Sequence, residues 1–170
     1  MLDSPITPQL IRAAVPSLSL IHIFKKVSDS QAEQVQIVLY HHTTSTGRLH
    51  GGQLVQWIDI VASVVARRHA GCDVTTAAIE NLSFLAPAYV GDTVVLQGRL
   101  TYVGKTSMRV RVDTYNEPKH GERILVNRAY LVMVALDENG NPCAIPGLEL
   151  VNDEEQQEWD AAVQLQKARQ

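Results

Sequence analysis

A chain of 170 residues, 45% apolar and 19% charged, has the make-up of one globular domain with a single core, expected to run over 1–170. Its net charge of −3, from 15 basic and 18 acidic residues, excludes a global electrostatic pull toward nucleic acid or an anionic membrane, so any anionic ligand must be met by local groups. Two cysteines, Cys72 and Cys143, are too few for a disulfide framework and suit a reducing compartment, and no stretch approaches the roughly 18 apolar residues of a membrane-spanning helix. The N-terminus carries Asp3 in place of a basic start, and Pro5, Pro8 and Pro16 interrupt it, so a secretion signal is not expected and a cytoplasmic protein is.

In chain order, residues 1–26 read as an N-terminal extension. Thr7 or Pro8 opens a short helix through Ala14 that Pro16 would stop, and 18–24 is apolar enough for an edge strand or a packing arm. Val35, Ile37 and Leu39 alternate with Gln34, Gln36 and Val38, which predicts a half-buried strand. A polar loop over 41–46 leads into the glycine-rich turn Gly47-Arg48-Leu49-His50-Gly51-Gly52 and then a helix that Gly71 would stop. Leu54, Val55, Trp57, Ile58, Ile60, Val61, Ala62, Val64, Val65 and Ala66 cover nearly every face of that helix, so it is expected to be buried all round.

Strands follow at 74–84, 93–103, 106–115 and 123–136, separated by short turns. Met108, Val110 and Val112 alternate with Arg109, Arg111 and Asp113, which places one face on a core and the other in water. Residues 152–170 close the chain with a charged helix over 153–168, whose contacts would come from Trp159, Ala162, Val163 and Ala168. The order predicts an α+β fold, a long central helix wrapped by a curved antiparallel sheet of five or six strands.

Asp59 is the one ionisable side chain in the middle of the apolar helix, and a carboxylate there is costly unless it is paired or used. Gly51 and Gly52 sit where unpaired first-turn N–H groups and the positive dipole end can receive an anion or a developing oxyanion; from this pair alone, close packing of the turn is the favoured explanation. Asp59 lies seven residues beyond Gly52 on one helix face, about 10 Å along the axis, too far for both to touch one carbonyl within a single chain. If both are catalytic, each needs a partner from elsewhere, most simply a second copy of the chain.

His41, His42 and His50 flank the turn without a zinc-ligand spacing, and His50 beside the helix start could act as a base. Gly98 followed by Gly104-Lys105-Thr106 imitates a phosphate loop, but the spacing is one residue too long and the context is strand–turn–strand. Lys105, Thr106 and Ser107 could still contact a phosphate or an amide chain there, and Arg67 and Arg68 could hold a phosphate or solvate the helix end.

Taken together, Gly47-Arg48-Leu49-His50-Gly51-Gly52 with Trp57-Ile58-Asp59, Thr75-Thr76-Ala77-Ala78-Ile79, Phe84-Leu85-Ala86-Pro87, Val90-Gly91-Asp92, Tyr102-Val103-Gly104-Lys105-Thr106-Ser107-Met108, Asn127-Arg128-Ala129 and the run over 134–142 resemble the hotdog-fold acyl-CoA thioesterases, over about residues 27–146. The resemblance implies a helix wrapped by an antiparallel sheet, dimers paired through the sheets and often assembled as trimers of dimers. It also implies hydrolysis of acyl-CoA to acid and CoA at the interface between two protomers, with no metal and with CoA only as part of the substrate. Asp59 falls on the family's catalytic aspartate, and Gly51 and Gly52 on the glycines that polarise the thioester carbonyl. CoA would lie over Gly104, Lys105, Thr106 and Ser107, with Arg67, Arg68 or Lys105 near its phosphates and His50 beside the substrate. The family usually has asparagine where this chain has Thr44, and a hydroxyl offers one donor where an amide offers two. Two other readings stay open: a protein that binds CoA esters without cleaving them, and a hotdog dehydratase using His50.

Overall fold

The computed structural model describes residues 23–168. The short helix expected over 7–14 and most of the apolar stretch over 18–24 lie outside them. In chain order come β1 (Phe24–Lys26), β2 (Ala32–Ile37), α1 (Gly51–Ala70), β3 (Asp73–Phe84), β4 (Thr93–Val103), β5 (Ser107–Glu117), β6 (Ile124–Leu136), β7 (Gly147–Glu149) and α2 (Asp153–Lys167). The main sheet has the order β2-β4-β5-β6-β3 with every neighbouring pair antiparallel. β1 and β7 pair in parallel as a separate ribbon. Because α1 connects β2 to β3, the two edges of that sheet, it must cross the whole sheet and lies against its inner face. This is the hotdog arrangement, a long helix held in an antiparallel sheet.

One stripe of α1 is buried: Leu54, Trp57, Ile58, Val61, Ala62, Val65, Ala66, His69 and Ala70, at helical spacing. The expectation of a helix buried all round is therefore corrected. A single sheet covers one side of a helix, and on the other side Ile60 and Val64 are exposed with Gln56. Gly98 in β4 sets how near α1 can come. A Cβ there would stand 2.6 Å from Val61 Cγ1 and 2.9 Å from Val65 Cγ2, so this glycine, which imitated part of a phosphate loop, is a packing contact. Gly71 ends the helix in the left-handed conformation at φ 71°, its N–H donating to the Arg67 carbonyl. Lys25 Nζ donates to the Arg68 and His69 carbonyls at 3.0 and 2.8 Å, placing a cation on the negative end of the helix dipole.

Two expectations about faces are overturned. β2 is a strand, but Val35 and Ile37 point outward and are over half exposed. Gln34 and Gln36 stand opposite Leu96 and Val94, which face α1, so the pairing register puts the glutamines inside. On β5, Arg109, Arg111 and Asp113 are not in water; all three are buried. α2 lies across that outer face. Arg99 pairs with Glu154, Arg111 with Glu158 and Asp113, and Asp113 with Arg128, while Trp159 packs on Tyr102 with ring centroids 4.6 Å apart. Ala162 is the buried residue of α2, whereas Ala168 is exposed. Asn152 caps α2 by accepting the Glu155 N–H, and Asp153, Glu154 and Glu155 complement its positive end.

Candidate functional site

The start of α1 is built from its own loop. Thr43 and Leu49 form an antiparallel bridge, and between them Thr44 to Gly47 closes a turn in which the Gly47 N–H donates to the Thr44 carbonyl and Gly47 takes φ 74°. His50 is the N-cap: its Nδ1 accepts the Gly52 N–H at 3.0 Å. That bond uses one of the first-turn donors and gives His50 a structural task, so its placement as a substrate-binding group or base has to reckon with Nδ1 being occupied. A Cβ on Gly52 would meet the His50 ring at 3.1 Å, and one on Gly51 would meet Phe84 Cζ at 3.3 Å. The close-packing and anion-receiving explanations of this glycine pair are therefore compatible. Packing keeps both residues small, and the Gly51 and Gln53 N–H groups are left without a capping acceptor among the described residues.

Asp59 sits half-buried on the flank of α1 that faces β3. Thr76 Oγ1, from β3, donates to Asp59 Oδ1 at 2.5 Å. A charge-assisted bond of this kind holds a carboxylate in one orientation with its second oxygen available. Thr76 was missed as a site residue by sequence reasoning. The signal was there: strand alternation puts it on the same face as Val74, which packs against the core under α1. β3 is an edge of the main sheet, so the Asp59–Thr76 pair lies beside twelve residues of strand whose outer N–H and C=O groups have no neighbouring strand among the described residues.

The remaining site candidates separate into two groups. Thr44, His50, Gly51 and Gly52 gather at the start of α1. Arg67 and Arg68 lie toward its other end, about 24 Å along the axis from the two glycines at 1.5 Å per residue. The turn containing Gly104, Lys105, Thr106 and Ser107 is at that far end too: Ala135, which pairs with Val74 just after α1, donates its N–H to the Thr106 carbonyl at 2.9 Å. Arg68 is partly committed, its guanidinium donating to the Gln31 carbonyl. Thr44 Oγ1 bonds within its own turn, to Thr46 Oγ1 at 3.0 Å and the Arg48 carbonyl at 3.4 Å. His41 and His42 pack edge-on, with His42 against Trp57 at 4.9 Å; burial, then the neighbouring His41 charge, lowers the His42 pKa. Among the described residues no three His, Cys, Asp or Glu side chains converge as metal ligands. No described helix is long and apolar enough to cross a membrane.

Residues 46–122 match the family profile described as Thioesterase superfamily. Over 111 residues the chain is 38% identical to an uncharacterized acyl-CoA thioester hydrolase of Zymomonas mobilis, covering 65% of this chain and 74% of the relative. Among solved structures, an apo-hexameric acyl-CoA thioesterase superposes with a TM-score of 0.83 and 34% identity, over 86% of this chain and 95% of that one. An acyl-CoA hydrolase from Staphylococcus aureus, solved with butyryl-coenzyme A, coenzyme A and coenzyme A disulfide, superposes with a TM-score of 0.79 and 32% identity, over 86% and 92%.

Proposed function

The chain belongs to the acyl-CoA thioester hydrolases of the thioesterase superfamily, and from that premise we propose that it cleaves acyl-CoA at sites shared by two copies, with Asp59 of one copy working against the helix start of the other. The observation that carries this is the Asp59–Thr76 pair where α1 meets β3, an edge strand with no outer neighbour among the described residues. Two copies joined antiparallel along β3 would continue the sheet and lay their α1 helices side by side in opposite directions. Asp59, which cannot reach its own helix start, then approaches the neighbour's. The same rotation brings Arg67 and Arg68 of one copy toward the start of the other helix, so the two separated groups of site residues become one.

In this reading Asp59 takes the proton of a water attacking the thioester carbon and passes it to the departing sulfur, or attacks that carbon directly to form a mixed anhydride that water then opens to the acid. The oxygen gains negative charge as the tetrahedral intermediate forms, and the Gly51 and Gln53 N–H groups meet it at the positive end of α1. CoA then leaves as the thiol. Base and oxyanion donors both come from the protein, so the scheme calls for no metal or other cofactor. The CoA moiety would run over Gly104, Lys105, Thr106 and Ser107, with Arg67, Arg68 or Lys105 at its phosphates. Val35, Ile37 and Leu39, exposed on the outer side and end of β2, give dimers an apolar surface for further assembly as a trimer of dimers. Cys72 and Cys143, free thiols 3.4 Å apart, suit a cytoplasmic location.

The test is thiol release from a panel of acyl-CoAs by the wild type and by Asp59→Asn. Release by the wild type, falling by roughly two to four orders of magnitude in the variant, is expected for loss of a general base; near-normal hydrolysis by Asp59→Asn would remove the assignment. A CoA-ester binder without turnover is the second reading, favoured by one observation: the Thr44 hydroxyl is spent inside its own turn. Thr44→Asn should raise kcat several-fold if only the amide is missing, and an unchanged kcat would show that this loop works in another way.

A further inference from the structure

A cavity of about 420 Å³ opens beside Gly51, lined by Leu49, Leu54, Phe84, Leu85, Ala88 and Val126 among others, with Arg48 the one charged group in its wall. It adjoins the helix start, so an acyl chain whose carbonyl rests on the first-turn N–H groups has this apolar space next to it. One side of the cavity is the connection over 83–88 that leaves β3. Its backbone is pinned along its length. Asn127 Nδ2 donates to the Ser83 carbonyl at 2.6 Å, the Leu85 N–H to the Val126 carbonyl at 2.8 Å, and the Leu49 N–H to the Ala88 carbonyl at 2.8 Å. Yet Phe84 and Leu85 on this fixed backbone are 54% and 61% exposed. Two large apolar side chains held in the open on a hydrogen-bonded backbone suit a recognition surface. Phe84 is also the side chain that stands on Gly51.

We propose that this connection reads the acyl group and that Phe84 sets the specificity, admitting unbranched aliphatic acyl chains and crowding out those branched beside the carbonyl. The inference rests on the hydrolase reading, and it deepens that reading by naming the substrate class. The physical basis is position. With its ring against Gly51, Phe84 occupies the space that a substituent on the acyl α-carbon would need once the carbonyl is seated at the helix start. The apolar side chains of the wall reward each buried methylene.

The experiment compares butyryl-CoA with isobutyryl-CoA for the wild type, Phe84→Leu and Phe84→Ala, measuring kcat/KM by thiol release and Kd by calorimetry, with the oligomeric state followed by sedimentation. The wild type should favour the straight chain by about tenfold or more, the range set by one methyl group in an apolar pocket. Phe84→Ala should bring the ratio close to one, with Phe84→Leu between. Phe84 is more than half exposed, so the variants should fold, and their melting temperatures check this. A ratio that does not move among the three proteins overturns the proposal. If that constant ratio comes with a change in sedimentation, Phe84 belongs to a contact between copies. Absence of hydrolysis by the wild type with a Phe84-dependent Kd ratio removes the hydrolase reading and keeps the acyl-recognition one.

Discussion

The two faces of the main sheet are covered by helices that hold on in different ways. On the inner face α1 buries nine residues, all but His69 apolar, and comes close enough for Gly98 to be a contact point. On the outer face α2 buries Ala162 and is attached through Arg99–Glu154, Arg111–Glu158 and the stacking of Tyr102 on Trp159. Contact by shape needs no charged partner, so α1 can carry a carboxylate on its flank, where it meets Thr76 of β3. Contact by charge commits nearly every ionisable group on the outer face to holding the fold. The comparison teaches that a carboxylate such as Asp113, buried among arginines, is a structural group, whereas Asp59 is held by the Thr76 hydroxyl, at a strand with no outer neighbour among the described residues, which fits the role proposed for it.

The largest expected effect separates these roles directly. Asp59→Asn should lower kcat by roughly two to four orders of magnitude while leaving the urea midpoint of unfolding nearly where it was. A large loss of stability in that variant would make Asp59 structural and erase the contrast. Gly98→Val attacks the inner face by overpacking, and about 1–3 kcal/mol of stability should be lost, read as a lower denaturation midpoint at unchanged slope. Glu158→Gln attacks the outer face; it leaves Arg111 with Asp113 and removes one charge-assisted bond, so about 1–2 kcal/mol is expected in the same measurement, with hydrolysis unaffected. Equal losses of hydrolysis in both stability variants would show that the two faces are not functionally distinct.

The smallest effect is a pH dependence. Burial raises the Asp113 carboxyl pKa, but hydrogen bonds from Arg111 and Arg128 and their charges outweigh it and hold the group below the ordinary aspartate value. A depressed folded-state pKa contributes stability that is present above the unfolded value, near pH 4, and is lost as pH falls through the lower folded value. Between pH 5 and 3 the wild type should therefore lose stability more steeply than Asp113→Asn, as followed by melting temperature. Parallel curves would mean that the arginine cluster does not favour the charged carboxylate.

Much of the fold was legible because its signals are local. The 93–103 strand matches β4 end for end, Gly71 stops α1 where glycine was expected to, and β3, β5, β6 and α2 agree to within two residues, whereas the short ribbon of β1 and β7 was not foreseen. The candidate site was half legible. Asp59 stood out through its isolation, and Gly51 and Gly52 through the turn that precedes a helix. Thr76 did not, because strand alternation puts its hydroxyl on the inner face without saying which residue of α1 stands opposite it. Phe84 did not, because nothing in a run of apolar residues says which of them will stand on a glycine thirty-three positions earlier.

By itself the sequence determined the order and extent of the elements, the glycine start of α1 and the carboxylate in its middle, since backbone preference and side-chain periodicity act over a few residues. Only the tertiary structure decided which faces are covered. Alternation along β2 and β5 announces two faces without saying what lies on either; the register of β2 against β4 turned Val35 and Ile37 outward, and α2 buried Arg109, Arg111 and Asp113. Those outcomes depend on partners distant in the chain, and burial is a property of the partners as much as of the residue.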